Sequence, residues 1–310
     1  MKAFYKPVGL AVLCGLFGKS RQAFYEQRWH EEKTLFEDAI VVDLVRHERR
    51  IARRVGARNL YRILKAELEA RQVFIGRDRF FEVLRQNDLL VKRRRRRAVT
   101  TMSRHSLPLY SNVAKTLELT QAEQLWVSDI TYIRVGEGFC YLILITDAYS
   151  HQVVGWNFGL NMDAAFCLEA LKMAFASRQY PERALMHHSD RGLQYCSKLY
   201  TQLLKEHRIA ISMTEHGDPL ENAIAERMNG ILKDSFEMDR TFSSFEEARQ
   251  FILESIAYYN ERRPHSSCDN LTPKEAHSCT GVLKKHWKSF AEKALAKAEK
   301  EGVASGMAAS

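Results

Sequence analysis

The order of apolar and polar positions divides the chain into a helical front part and a mixed part of strands and helices. Up to about residue 90, apolar side chains recur every three or four positions, which is the spacing of amphipathic helices. From residue 125 to 158 the pattern changes to three runs rich in β-branched and aromatic residues, separated by tight turns. These runs predict an antiparallel meander of three strands, and alternating helices and strands are predicted after it.

The predicted order is strand, strand, strand, helix, strand, helix, strand, helix, which is the order of a ribonuclease H-like fold. We therefore expect an α/β core, a five-stranded mixed sheet with flanking helices, preceded by an all-α helix-turn-helix region. In the front part, two short helices are predicted on either side of Gly18-Lys-Ser20, followed by helices at about 34–53, 57–70 and 77–90. The expected divisions are an N-terminal helical segment (1–32), a helix-turn-helix region that ends in a basic run (33–97), a linker (98–115), the α/β core (116–277) and a helical or disordered tail (278–310).

The charge distribution predicts a polyanionic partner for the front part. Residues 1–110 hold 25 basic and 12 acidic side chains, whereas the remainder is net acidic. In a helix-turn-helix module the last helix lies in the major groove, and six adjacent cations follow that helix, a run that lies along polyphosphate or stays mobile. Solvated arginines on a helix face are the ordinary alternative. The predicted DNA contacts in this region are Arg77, Arg79, Arg85, Lys92, Arg93, Arg94, Arg95, Arg96 and Arg97.

Cysteine usage and hydropathy exclude several classes of protein. The six cysteines form no C-x-x-C pair, which favours a reduced, cytoplasmic protein without structural zinc. The apolar segment 8–17 is not followed by a small-residue cleavage site, so a signal peptide is disfavoured. No apolar run reaches the ~18 residues that a membrane span requires.

Three carboxylates stand out at a specific spacing. Asp129 lies within the first predicted strand, Asp190 follows the fourth, and Glu226 lies on the long helix after Pro219; 35 residues separate the last two acids, and Lys233 follows seven positions later. Any one such acid is ordinarily a cap or a turn former, but their joint occurrence is the pattern of polynucleotidyl transferases. Two divalent ions held by carboxylate oxygens can catalyse the cutting and rejoining of a phosphodiester bond.

The long helix is predicted to turn two different faces to its surroundings. At 100° per residue, an apolar stripe that includes Met228 and Ile231 docks on the sheet. The opposite stripe, which faces a cleft, consists of Asn222, Glu226, Asn229 and Lys233. Histidine ligation of a metal by His187 and His188 is disfavoured, because no cysteine accompanies them and carboxylates are at hand.

The motifs that surround these acids resemble those of a known family. They are Trp126-Val-Ser-Asp129-Ile-Thr-Tyr132, His188-Ser-Asp190-Arg-Gly192, Asn222-Ala223 with Glu226, and the closing Tyr258-Tyr-Asn260 with Arg263-Pro264-His265 and Leu271-Thr-Pro273. Together they resemble the integrase catalytic core of bacterial insertion-sequence transposases, specifically the second-frame product of two-frame elements. The resemblance covers about residues 35–277, and Glu221 departs from the family's usual aspartate. Arg263 and His265 either contact DNA or pin the turn after the last helix.

The resemblance implies a transposase that binds the terminal inverted repeats of its element, nicks one strand and transfers the 3′-hydroxyl. It implies Asp129, Asp190 and Glu226 as catalytic residues and ligands of two Mg²⁺ ions, with Mn²⁺ able to substitute, and Lys233 and Asn222 as DNA contacts. The implied partners are double-stranded DNA of the element ends and target, at least one further copy of the chain on DNA, and a first-frame product or frameshift fusion. The expected location is the bacterial cytoplasm, at the nucleoid. A binding protein that no longer cuts and a cellular ribonuclease H are the competing hypotheses.

Overall fold

The computed structural model describes residues 9–92, 109–215 and 219–287. The chain forms two compact units: a helical unit of residues up to 50 and 56–92, and an α/β unit that contains residues 51–55 and everything described from 109 onward. Across the described ranges, no helix combines the length and apolar character needed to cross a bilayer.

The helical unit is built from four helices: α1 (Leu10–Leu16), α2 (Arg21–Glu48), α3 (Ala57–Ala70) and α4 (Arg77–Gln86). The last half of α2 packs with α3 and α4 around a buried apolar core. Its fully enclosed side chains include Val41, Val45, Leu60, Leu64, Phe80 and Leu84.

Helix α2 differs from the prediction because it is one continuous helix of 28 residues where two were expected. Ser20 begins it by accepting a hydrogen bond from the Ala23 amide at 3.0 Å. No glycine or proline interrupts the sequence after that, and ion pairs one turn apart, such as Arg28 with Glu32, support the helix in its middle. The prediction of two helices is therefore wrong, and the division expected at residue 32 falls inside α2.

The α/β unit is organised around a mixed sheet with the strand order β3-β2-β1-β4-β5. Strands β1, β2 and β3 are antiparallel neighbours, whereas β4 runs parallel to both β1 and β5. A two-residue strand, β6, pairs in parallel with the C-terminal end of β1. This strand was not predicted. This topology confirms the predicted ribonuclease H-like fold. The strands are β1 (Leu125–Val135), β2 (Gly138–Asp147), β3 (Val153–Gly159), β4 (Met186–Ser189), β5 (Ala210–Met213) and β6 (Thr241–Phe242).

Helices cover both faces of the sheet. Helix α5 packs on β2 and β3, while α8 packs on β1 and β2. One helix was predicted between the fourth and fifth strands, but the chain breaks at Ser197. The extended backbone of Ser197 ends one helix, and its hydroxyl caps the next by accepting a hydrogen bond from the Tyr200 amide. The helices are α5 (Ala164–Ala176), α6 (Leu193–Cys196), α7 (Lys198–Glu206), α8 (Ala223–Phe236), α9 (Phe245–Arg262) and α10 (Pro273–His277).

A buried ionic network fixes the start of β1 to the rest of the unit. Glu123 is 1% exposed and accepts hydrogen bonds from Arg178 Nε at 2.9 Å and from the Gln179 amide at 2.6 Å. Burial acts to raise the pKa of Glu123, but hydrogen bonds from His277, Arg178 and the backbone outweigh it and lower the pKa to about 2. The carboxylate is therefore more stable in the folded chain than in the unfolded one.

Replacing Glu123 by glutamine is expected to lower the free energy of unfolding at pH 7 by roughly 2–4 kcal/mol, because it leaves the Arg178 guanidinium without its buried counter-charge. A carboxylate with a depressed folded-state pKa contributes stability above its unfolded pKa of about 4.3 and loses it as the pH falls toward 2. The difference between the two proteins should therefore narrow between pH 5 and pH 2, as urea unfolding at several pH values would measure. Glu261→Gln, at an exposed pair with Lys274, is the control, with an expected change below about 1 kcal/mol.

Candidate active site

The fold brings the three predicted carboxylates to one region of the sheet. Strands β1 and β4 are parallel neighbours with Ser128 opposite Ser189, so Asp129 and Asp190 follow at the same level on adjacent strands, about 5 Å apart in the backbone. Glu226 lies in the first turn of α8, the helix that packs on β1. Asp129 and Asp190 are half-buried and Glu226 is exposed.

The carboxylates act on each other electrostatically. Burial first, then the charge of Asp190 and to a smaller extent that of Glu226, together raise the pKa of Asp129 to about 7, against the opposing hydrogen bonds from Asn229 and the Ile130 amide. Asp190 accepts a hydrogen bond from the Gly192 amide at 3.0 Å. Because the charges of Asp190 and Glu226 disfavour the ionised form of Asp129, a cation bound among the three acids would stabilise that form.

Asn229 is a functional candidate that the sequence did not identify. Its amide donates a hydrogen bond to Asp129 Oδ2 at 2.8 Å, while the Ile130 amide donates to Oδ1 at 2.9 Å. Asn229 Oδ1 is buried and has no hydrogen-bond partner among the described residues. The available signal was its position on α8, one turn after Glu226 on the predicted polar stripe. We interpret Asn229 as the residue that orients the Asp129 carboxylate.

If the three acids hold a divalent ion, replacing Asn229 by alanine is expected to weaken ion binding roughly 10- to 100-fold, the usual effect of losing a group that orients a metal ligand. The measurement is the dissociation constant of Mg²⁺ by isothermal titration calorimetry. It should rise for Asn229→Ala and stay unchanged for Gln250→Ala, which changes an exposed amide on α9. An unchanged dissociation constant would mean that Asn229 serves only to pack α8.

Lys233 lies near the acids, two turns after Glu226 on α8. It is half-buried, and desolvation lowers its pKa while the charges of Asp129 and Asp239 oppose that shift. The buried face of α8 is formed by Ala225, Met228, Asn229, Ile231, Leu232 and Phe236. The helix is therefore rotated from the predicted orientation, with Asn229 inward and the Glu226 side outward.

Asn222, a predicted DNA contact, is buried beside Asp129, which disfavours that role. Its side chain is 6% exposed, and its amide donates a hydrogen bond to the Ser128 carbonyl at 3.0 Å. The amide has a second N–H donor, but a side chain enclosed in this way offers little of it to a phosphate. Asn222 instead ties the start of α8 to β1 beside Asp129.

The predicted DNA-contacting arginines of the helical unit project from α4, and each is in an ion pair. Arg79 pairs with Asp38, Arg85 with Glu82, and Arg77 with its neighbour Asp78. Lys92 is exposed at the end of the described range. Contact with DNA stays a prediction for these four residues, and Arg93, Arg94, Arg95, Arg96 and Arg97 lie outside the described residues.

The two histidines that precede Asp190 in the sequence, His187 and His188, are buried and form hydrogen bonds within the core. His187 Nε2 is 3.0 Å from the Tyr200 hydroxyl, and His188 Nδ1 is 2.9 Å from Ser212 Oγ. Burial lowers the pKa of His187 to about 3 and also lowers that of His188, so both rings are neutral near pH 7. The closing motif is also buried, with Arg263 8% and His265 5% exposed, which favours pinning the turn over contacting DNA.

Within the described ranges, one group of metal-binding residue types contains none of the three acids. His151, His265 and Cys268 are buried, and their potential ligand atoms lie within 4.8 Å of one another. The two imidazole rings are stacked, with centroids 4.3 Å apart and planes 18° from parallel. Nitrogen lone pairs lie in the ring plane, so stacked rings do not direct them to one point. We interpret this cluster as packing.

The chain is similar to several known proteins. Two models of the family "Integrase core domain" match residues 120–219 and 207–273. The HTLV-2 integrase catalytic core domain in complex with magnesium aligns with a TM-score of 0.40 and 16% identity, covering 51% of this chain and 97% of that chain.

Insertion-element proteins match over a longer span. The insertion element IS600 uncharacterized 31 kDa protein of Shigella sonnei is 32% identical over 84% of this chain and 96% of its own length. The transposase InsF for insertion sequence IS3A of Escherichia coli (strain K12) is 34% identical over 62% of this chain and 67% of its own length. The chain contains an integrase core domain and therefore belongs to the IS3 family of bacterial insertion-sequence transposases.

Proposed function

We propose that this chain binds the terminal inverted repeats of its insertion sequence and catalyses Mg²⁺-dependent DNA strand cleavage and strand transfer. The observation that carries the proposal is the convergence of Asp129, Asp190 and Glu226 on β1, the end of β4 and α8, where their charges act on one another. Family membership supports the same reaction class.

The donor set fits a hard divalent cation. Carboxylate oxygens are the ligands that Mg²⁺ prefers, and the pKa of Asp129 is raised first by burial and then by the charge of Asp190, which a bound cation would offset. Two bound ions at this site would activate the attacking oxygen and stabilise charge on the phosphate. Mn²⁺, which shares these ligand preferences, is expected to substitute.

The chain's own residues then have distinct roles. Asp129, Asp190 and Glu226 would hold the cations, and Asn229 orients Asp129 through its hydrogen bond. Lys233 binds a DNA phosphate as a point charge. In the first step water attacks a phosphodiester at the element end and the 3′-hydroxyl leaves; in the second step that hydroxyl attacks a target phosphodiester and another 3′-hydroxyl leaves. One bond forms as one breaks in each step, so no energy source is required.

DNA contact is assigned to the basic region around α4 and residues 92–97, whose cations would make binding fall with salt. Joining two ends requires at least two copies of the chain on DNA, and a first-frame product or a frameshift fusion is an expected partner. Because the proposed substrate is DNA, we expect the reaction at the nucleoid, in the bacterial cytoplasm.

The test is joining of labelled DNA by this chain alone. A duplex that ends in the inverted repeat flanking the chain's own gene is incubated with Mg²⁺ and a plasmid target. We expect labelled strands joined to the plasmid, and no joining in EDTA. Binding of the repeat without joining would instead support a DNA-binding regulator, and cleavage of the RNA strand of an RNA–DNA hybrid without joining would support a ribonuclease H.

A further inference from the structure

The first half of α2 carries an aromatic face that no described part of the chain covers. Its members are five large apolar side chains between 39% and 69% exposed, on a helix otherwise typical of a surface segment. They are Phe24, Tyr25, Trp29, Leu35 and Phe36.

These side chains share one side of the helix. At 100° per residue, the positions from Phe24 to Phe36 that carry them fall within about half of the circumference. Ala23 and Thr34, the half-buried residues of the same segment, fall on the opposite side, which leaves the aromatic side for another partner. We call the five residues and the charged positions 28 and 32 between them the α2 face.

The α2 face is large enough to form an interface. Aromatic side chains bury ~150–250 Å² each, so five residues at these exposures offer on the order of 600 Å² per copy. A standard interface buries about 800 Å² per partner, and most monomers expose no larger apolar patch than about 300–600 Å². Flanking polar residues of the helix would bring the buried area into the range of a specific complex.

The charges of the α2 face select the partner. Arg28 and Glu32 lie in the middle of the face and form an exposed ion pair at 3.0 Å. A second copy of the helix in antiparallel orientation, centred near His30, sets Phe24 against Phe36 of the other copy and Arg28 against its Glu32. A parallel copy would set like charges against each other. The balance of positive and negative charge also disfavours DNA as the occupant.

We propose that the α2 face binds a second copy of this chain through antiparallel packing of the two α2 helices. The dimer does not depend on the proposed reaction, but it would supply the two catalytic units that two DNA ends require. Aromatic side chains form the interface core, and the two crossed Arg28 and Glu32 pairs fix its orientation.

The oligomeric state of the full chain in solution tests the proposal. Light scattering after gel filtration and sedimentation equilibrium would compare wild type with the double variant Trp29→Ser/Phe36→Ser. We expect a dimer for wild type and at least a 100-fold higher dissociation constant for the double variant, with unchanged helix content by circular dichroism. Leu253→Ser, which removes a side chain 46% exposed on α9, should leave the dimer intact.

A charge swap tests the orientation. Arg28→Glu and Glu32→Arg should each weaken the dimer about 10-fold, and the two together should restore it. A monomeric wild type at about 50 µM, or an unchanged dissociation constant in Trp29→Ser/Phe36→Ser, would overturn the proposal. If the wild type is a monomer and the double variant has a lower melting temperature than the wild type, the α2 face packs within its own chain instead. Asp129→Asn, which should stay dimeric, separates this failure from a failure of the proposed reaction.

Discussion

Asp129→Asn, Asp190→Asn and Glu226→Gln are each expected to lower Mg²⁺-dependent strand transfer by roughly 10³-fold or more, the scale on which loss of one member of a catalytic unit acts. Each change removes one ionised oxygen from a site in which the three acids act together. DNA binding should stay within about twofold of wild type, because the proposed phosphate contacts of the basic region would supply most of the affinity. Joining and binding are measured on the same labelled duplex.

The matched control for these variants is Asp234→Asn. Asp234 is an exposed carboxylate on α8, two turns after Glu226, so it tests removal of a negative charge from the same helix. Its strand transfer should equal that of wild type. Undiminished strand transfer in all three site variants would contradict the assignment of these acids as catalytic residues. A variant that loses DNA binding together with strand transfer would be unfolded and not specifically defective in catalysis.

Gly155→Ala is expected to have the largest effect on stability. Gly155 lies in β3 under α5, and a Cβ added there would lie 2.3 Å from the Ala170 carbonyl oxygen and 2.8 Å from Ala174 Cβ. The first neighbour is backbone, so no change of rotamer relieves the clash and α5 must move off the sheet. We expect the free energy of unfolding to fall by about 3 kcal/mol or more.

Urea unfolding of Gly155→Ala and Gly138→Ala makes the comparison. Gly138 is also a strand glycine, but a Cβ added there meets only the Val135 carbonyl at 3.9 Å, an ordinary contact. Its stability should change by less than about 1 kcal/mol. Equal stability of Gly155→Ala and wild type would contradict the packing of α5 on β3.

The fold could be predicted where the pattern is local and long. Strands β1 and β2 are long runs of β-branched and aromatic residues, and α5 is a long, mostly apolar segment that follows them. Strand β6 has two residues, too few for any pattern. The break at Ser197 could not be predicted because helical periodicity continues through it, although a serine is a common N-cap residue.

The candidate site divides in the same way. Asp129, Asp190 and Glu226 could be identified by spacing and by the motifs around them. Asn222 and Asn229 were placed on an outward polar stripe because a helical wheel assumes that polar residues face solvent. Both are buried, and their partners are the Ser128 carbonyl and the Asp129 carboxylate on another element. Buried polar groups find such partners only in the tertiary structure.

The central claim is that the three acids hold the divalent ions that drive strand transfer, and metal-specific rescue tests it most directly. Asp190→Cys replaces an oxygen ligand by sulfur, which Mg²⁺ binds poorly and Mn²⁺ accepts better. The variant should be inactive with Mg²⁺ and regain transfer at least roughly 10-fold with Mn²⁺, whereas wild type should be active with both ions. Transfer by Asp190→Cys that is the same with Mg²⁺ and with Mn²⁺ would contradict metal ligation by Asp190.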